Sequence, residues 1–294
     1  MKINTLVYGI YPKTNELRLS ISRWEKGLLP DAALNDRIDD EKHEFYDRLN
    51  NNEILYTDPL FNWYDIFRPL VLITDGMQPG PLTRYKETNT FYRMPEVSEI
   101  GGIKYSPDKF TPLNENPPLP LYAEYGKDFN AFLPSPYTFF KMSRVEMAYN
   151  DFEKQLLNNY VQILKKFRTR NVILFDSLPY EKNSVLNLED FVKEYNVRLI
   201  TAGNIYKENI RGRPKSIICD NNENNVKIAS EISDEPGIKL IDGYNTKLEK
   251  PEDIRNEALK YDLDSIIITH TEYFDFLPRM IADKKIEIMS KIGD

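Results

Sequence analysis

Eight short runs of near-continuous apolar, often β-branched residues punctuate the chain: Thr5–Tyr8, Ile54–Thr57, Asn130–Leu133, Val172–Phe175, Val197–Thr201, Ser216–Cys219, Ile238–Ile241 and Ser265–Thr269. Each is four or five residues long, the pattern of a parallel strand buried on both faces. Between the runs lie segments of helical spacing: Asn15–Lys26, Asp31–Asn51, Arg144–Arg168, Leu188–Tyr195, Asn225–Ile232, Glu252–Tyr261 and a last one around Arg279–Lys291. Asn187 ahead of Leu188-Glu189-Asp190, and Pro251 ahead of Glu252 and Asp253, are helix-start signals. Strands alternating with helices at this count predict an α/β chain, a single-domain (β/α)8 TIM barrel over residues 1–294. A doubly wound open sheet is the alternative, but no Gly-x-Gly-x-x-Gly turn follows the first run. The alternation breaks from Pro95 to Pro120, where Gly101-Gly102 and Pro117-Pro118 mark a long irregular insertion, an extended surface excursion with room for a hairpin.

Composition narrows what such a barrel can do. Lys+Arg 39 against Asp+Glu 46 gives a net charge of -7, which argues against nucleic-acid binding through a basic stripe. The 19 Tyr, 15 Phe and 2 Trp supply ample surface for a core. One Cys excludes an internal disulfide and a thiolate-rich metal site, and two His exclude a three-imidazole site. No apolar run approaches the ~20 residues of a membrane span, the mean hydropathy is -0.54, and Met1-Lys2-Ile3-Asn4 opens no signal peptide. A cytoplasmic protein that does not engage membranes is expected.

Barrel chemistry sits at the C-terminal ends of the strands. Reading past each run gives Asp58, Asp176, Asp220, Asp242, His270 and Glu272, a ring of polar groups at a common mouth. Singly, each carboxylate reads as a helix cap or Asx turn; together they read as a ligand-binding mouth. A metal held by Asp58, Asp176, Asp220, Asp242, His270 and Glu272 is the weaker alternative, with oxygen ligands that favour Mg, Mn or non-haem Fe. His43 lies in a charged helix and reads as a solvated residue, while Cys219 sits inside an apolar strand and reads as a buried structural thiol.

Three clusters carry a family resemblance. The first is Tyr8-Gly9-Ile10-Tyr11-Pro12-Lys13, continuing through Glu16-Leu17-Arg18 to Trp24-Glu25-Lys26-Gly27. The second is Asp58 through Trp63-Tyr64-Asp65. The third is Leu82-Thr83-Arg84-Tyr85-Lys86-Glu87-Thr88-Asn89-Thr90-Phe91-Tyr92, followed by Pro95-Glu96. Together they resemble the amino-terminal barrel of the cobalamin-independent methionine synthase family, with its Gly-aromatic-Pro-Arg turn, Trp-Tyr-Asp stretch and Thr-Lys-Trp-Phe-x-Thr-Asn-Tyr segment. Weaker likeness follows in the same order through Ala131–Phe139, Val172–Pro179, Leu240–Asn245 and Ile266–Pro278, so the resemblance spans nearly the whole chain.

The resemblance implies a barrel that handles a methyl-tetrahydrofolate with a polyglutamate tail. Its tail-binding positions fall on Asn15, Glu16, Leu17, Arg18 and Arg84, with Asn89 in the same segment as Arg84. Lys13, Arg18, Arg84 and Lys86 are cations beside the mouth, and Arg grips carboxylates bidentately. Trp63, Tyr64 and Asp65 are candidates for the pocket wall, the indole offering a stacking face, with core packing as the alternative. The catalytic barrel of that family holds zinc through His, two Cys and a Glu. Here Cys219-Asp220-Asn221-Asn222 lacks the His-x-Cys pattern, and His270-Thr271-Glu272 stands where a Cys belongs. The expectation is a non-zinc, folate-binding half that binds no cofactor of its own and works with a separately encoded zinc barrel. The alternatives are an independent enzyme acting on a one-carbon or sulfur compound, and a structural or regulatory barrel.

Overall fold

The computed structural model describes residues 1–86, 90–106 and 128–292. All eight predicted runs form strands of one parallel sheet, numbered here as barrel strands only: β1 (Lys2–Val7), β2 (Leu55–Tyr56), β3 (Ala131–Pro134), β4 (Asn171–Pro179), β5 (Asn196–Ala202), β6 (Ser216–Asp220), β7 (Gly237–Ile241) and β8 (Ser265–His270). Their spatial order is β2-β1-β8-β7-β6-β5-β4-β3. The two ends meet through a parallel bridge between Tyr56 and Phe129. There the Tyr56 N–H donates to the Asp128 carbonyl at 3.0 Å, and the Asn130 N–H to the Tyr56 carbonyl at 2.8 Å. The ring is closed, with no strand edge left open between β2 and β3.

Burial on both faces explains why these segments became strands. Ile266, Ile267 and Ile268 in β8 are all fully buried, and at roughly 1.5–3 kcal/mol per buried aliphatic side chain a single charge there would unseat the strand. Around the barrel run α1 (Asn15–Glu25), α2 (Asp31–Asn50), α3 (Arg68–Ile73), α4 (Pro136–Lys141), α5 (Tyr149–Phe167), α6 (Phe191–Glu194), α7 (Glu223–Ile232), α8 (Pro251–Ala258) and α9 (Arg279–Met289). Thr14 caps α1 by accepting from the Leu17 N–H at 3.0 Å. Asn222 caps α7 by accepting from the Asn225 N–H at 2.9 Å. Phe152, Leu156, Tyr160, Ile163 and Phe167 give α5 one buried stripe. Among the described residues no helix is long and apolar enough to cross a membrane.

Three of the sequence expectations are revised by the structure, and α3 and α4 are helices it adds. The helix predicted from Arg144 begins at Tyr149, because Arg144-Val145 pair in parallel with Glu96-Val97. Met77–Arg84 and Phe91–Val97 form an antiparallel hairpin, so Pro95–Val97 belong to a strand where an irregular insertion was expected. Positions 107–120 of that insertion lie outside the described residues. The helix expected over Leu188–Tyr195 contracts to the single turn of α6.

Candidate functional site

The mouth is built on an aromatic floor. Tyr8, just past β1, stacks on His270 at the end of β8, with ring centroids 4.2 Å apart and planes 12° off parallel. Phe132, Phe175 and Tyr273 surround the Tyr8 ring at 5.5–6.1 Å. Gly9 lets this happen: its φ is +75°, and a Cβ there would lie 2.3 Å from the Tyr273 ring. His270 is fully buried. Its Nε2 accepts the Tyr8 N–H at 3.1 Å, so its Nδ1 carries the proton donated to the Glu272 carbonyl at 2.8 Å. Burial pushes its pKa down to about 3, so the ring is neutral.

Above this floor stand two ion pairs. Lys86, from the hairpin, reaches Glu272 at 2.6 Å, and the Tyr244 hydroxyl donates to the same carboxylate oxygen at 3.1 Å. The other oxygen, Oε1, is buried with no hydrogen-bond partner among the described residues. Lys239 is buried beneath the mouth and pairs with Asp220 at 2.9 Å while also donating to the Thr201 carbonyl.

The remaining mouth carboxylates have local work. Asp176 is fully buried and accepts from the hydroxyls of Ser135, Thr138 and Tyr180. Burial lifts its pKa to about 6, against the pull of those donors. Asp242 accepts the N–H groups of Tyr244 and Asn245 at 2.7 and 3.1 Å, a capped turn. Asp58 binds Lys42 at 2.9 Å and the Tyr46 hydroxyl at 2.7 Å. The alternative set Asp58, Asp176, Asp220, Asp242, His270 and Glu272 is therefore not drawn to one point, and among the described residues no group of three His, Cys, Asp or Glu is placed to hold a metal ion.

The tail-side residues separate into two groups. Lys13, Asn15 and Arg18 line one groove of about 610 Å³ between α1 and α9, opposite Arg279 and Lys284, with Asp283 and Glu287 also on its wall. Glu16 is exposed on α1 and is not one of the lining residues, and Leu17 is buried in the core. Lys13 is itself buried, donates to the Trp63 carbonyl at 3.2 Å and lies 4.7 Å from the centre of the Tyr64 ring. Burial lowers its pKa, opposed by nearby Asp275. Tyr64 and Asp65 in turn line a slot of about 30 Å³ with Phe91, Tyr92, Asp275 and Phe276. Lys13 of the groove thus contacts Tyr64 of the slot.

Trp63, by contrast, is 2% exposed and packs into the core, so its indole does not supply the expected open stacking face. Asp65 mainly holds the chain in shape. It accepts from the Phe67 and Arg68 N–H groups at the start of α3 and from the Arg93 N–H of the hairpin. Arg84 is exposed on the hairpin and is not a lining residue of the groove. Asn89 lies outside the described residues.

No protein-family model and no curated protein matches the sequence. Solved structures do match. A B12-independent methionine synthase from Shewanella sp. W3-18-1, in complex with selenomethionine, superposes with a TM-score of 0.66 at 12% identity, over 100% of this chain and 97% of that one. A putative vitamin-B12-independent methionine synthase from Listeria monocytogenes gives a TM-score of 0.61 at 12% identity, over 98% and 95%. The chain has the fold of the B12-independent methionine synthases.

Within that fold, the residues here do not suit a thiolate zinc centre. Cys219 is buried, its thiol pushed up to about 12 by burial, and both ring nitrogens of His270 are engaged within the barrel. Tyr85, Tyr244 and Lys239 are not among the site residues that the sequence offers, and Lys86 enters there only as one cation among four. A signal was available for two of them: along an extended strand side chains alternate, so an outward Arg84 places Tyr85 inward, with Lys86 at the turn.

Proposed function

We propose that this barrel binds the folate polyglutamate of a methionine-synthase-type methyl transfer and presents it to a separately encoded zinc barrel. One observation supports the reading above the others: Lys13, Asn15 and Arg18 share a groove with Arg279 and Lys284, and Lys13 contacts Tyr64 of a neighbouring aromatic slot. A folate polyglutamate has the complementary layout. Its anionic γ-glutamyl tail suits the basic groove, and the aromatic walls Phe91, Tyr92 and Phe276 suit the faces of its pterin once the slot, about 30 Å³ as it stands, is widened. Asp275 at the slot, its pKa raised by burial, supplies an acceptor for the N–H edge of a pterin ring. Tyr64 is 54% exposed over the slot, and entry of the ring requires it to swing outward. The barrel's own residues bind and orient; thiol activation is left to the partner.

The test is equilibrium binding of 5-methyltetrahydrofolate as mono- and triglutamate at low salt. The triglutamate should bind about tenfold more tightly, roughly 1.4 kcal/mol, with the advantage shrinking as salt screens the charges. Arg18→Ala should erase most of that advantage and Arg84→Ala should leave it. Equal affinity for both ligands in the unmodified protein would remove the tail-binding role.

A further inference from the structure

We propose that the barrel mouth contains a seat for a primary ammonium group, and that Lys86 of this chain occupies it until a ligand displaces it. The seat is Glu272. Its side chain is 4% exposed, against 25% for Lys86, so the carboxylate is fixed in the protein while its cation keeps a route to water. Only one of the two carboxylate oxygens is used: Oε2 takes both the Lys86 ammonium at 2.6 Å and the Tyr244 hydroxyl at 3.1 Å. Oε1 is buried and unpartnered among the described residues. A buried acceptor left without a donor costs about 1–3 kcal/mol, and an ammonium with three N–H donors that approaches from a free ligand can serve both oxygens at once.

Lys86 arrives at the seat under constraint. Its backbone φ is +49°, the left-handed region that a non-glycine residue enters at a cost of about 1 kcal/mol or more. The Lys86 ammonium lies 5.1 Å from the Tyr85 ring centre, and the Tyr244 hydroxyl donates to the same carboxylate oxygen. Those are favourable surroundings for an organic cation. The ligand class is a primary ammonium on a short aliphatic chain, and an anion lacking the amine is excluded by Glu272. The seat is apart from the groove between α1 and α9 but shares Tyr85 with the slot, so its test is amine binding, which the polyglutamate reading does not predict.

An internal lysine competes with any ligand in proportion to the time it spends on the carboxylate. Calorimetric titration with n-butylammonium, and with butyrate as the control, tests the idea on the full chain. Lys86→Met should bind n-butylammonium about tenfold more tightly than the unmodified protein, and neither should bind butyrate. Lys86→Met combined with Glu272→Gln should bind no amine. Should Lys86→Met fail to fold, Lys86→Ala should be raised in melting temperature by n-butylammonium and not by tetramethylammonium, which has no N–H to donate. Amine binding that survives Glu272→Gln, or no gain on removing the Lys86 ammonium, would overturn the proposal.

Discussion

Asp176 and His270 are both sealed in the barrel, yet they bias its stability in opposite directions as pH changes. The Asp176 carboxyl titrates near 6 in the folded chain and near 3.8 when free. Between about pH 4 and pH 6 the folded state therefore holds the extra proton, and stability falls as pH rises, by roughly 3 kcal/mol across the window. His270 titrates near 3 folded and 6.5 free, so there the unfolded state holds the extra proton. Its contribution rises with pH, by roughly 5 kcal/mol between pH 3 and 6.5. The two largely offset each other in the range they share. Urea unfolding at pH 4, 5 and 6 should show Asp176→Asn gaining on the unmodified protein as pH rises, and His270→Gln losing ground. Parallel pH profiles for all three would contradict these assignments.

At the scale of elements, the turn that follows β1 carries the tightest steric demand. Gly9→Ala would place a methyl 2.3 Å from the Tyr273 ring in a left-handed backbone. A loss of about 2–4 kcal/mol is expected from strain and overpacking together, read by denaturant titration. A change under about 0.5 kcal/mol, the range of an indifferent surface substitution, would mean the close approach is not fixed. The barrel strands were legible in the sequence because burial on both faces leaves an unbroken apolar run. The hairpin was not, because Gln78-Pro79-Gly80-Pro81 within Met77–Arg84 contains two prolines and a glycine and is largely exposed, so neither strand periodicity nor propensity marks it. In α3 all six residues from Arg68 to Ile73 are buried, which removes the amphipathic signal by which a helix is recognised. The site was legible only in its local part. Lys13, Asn15 and Arg18 are close in sequence and share a groove, whereas Lys86 and Glu272 meet across 186 residues, a pairing that only the closed barrel creates.

At the scale of the whole molecule, a chain of net charge -7 lines one groove with four cations and two carboxylates, and although Arg279 is paired with Asp283 and Glu41, three further cations, Lys13, Arg18 and Lys284, stand there against Glu287. That local reversal of sign attracts a polyanion to one place on an otherwise acidic surface. The fold is shared with methionine synthases at only 12% identity, because a barrel needs eight buried strands and permits wide freedom in which apolar residue fills each place. What the fold leaves open is the chemistry at its mouth, and here the one thiol is shut in a strand while the imidazole beneath the mouth is spent on the backbone. The decisive measurement is methyl transfer from 5-methyltetrahydrofolate triglutamate to homocysteine, followed for this protein alone, for a zinc-bearing catalytic barrel alone, and for the two mixed. The account predicts no turnover from this protein alone and a rate for the mixture above that of the catalytic barrel. Turnover by this protein alone, with one zinc per chain, would contradict it.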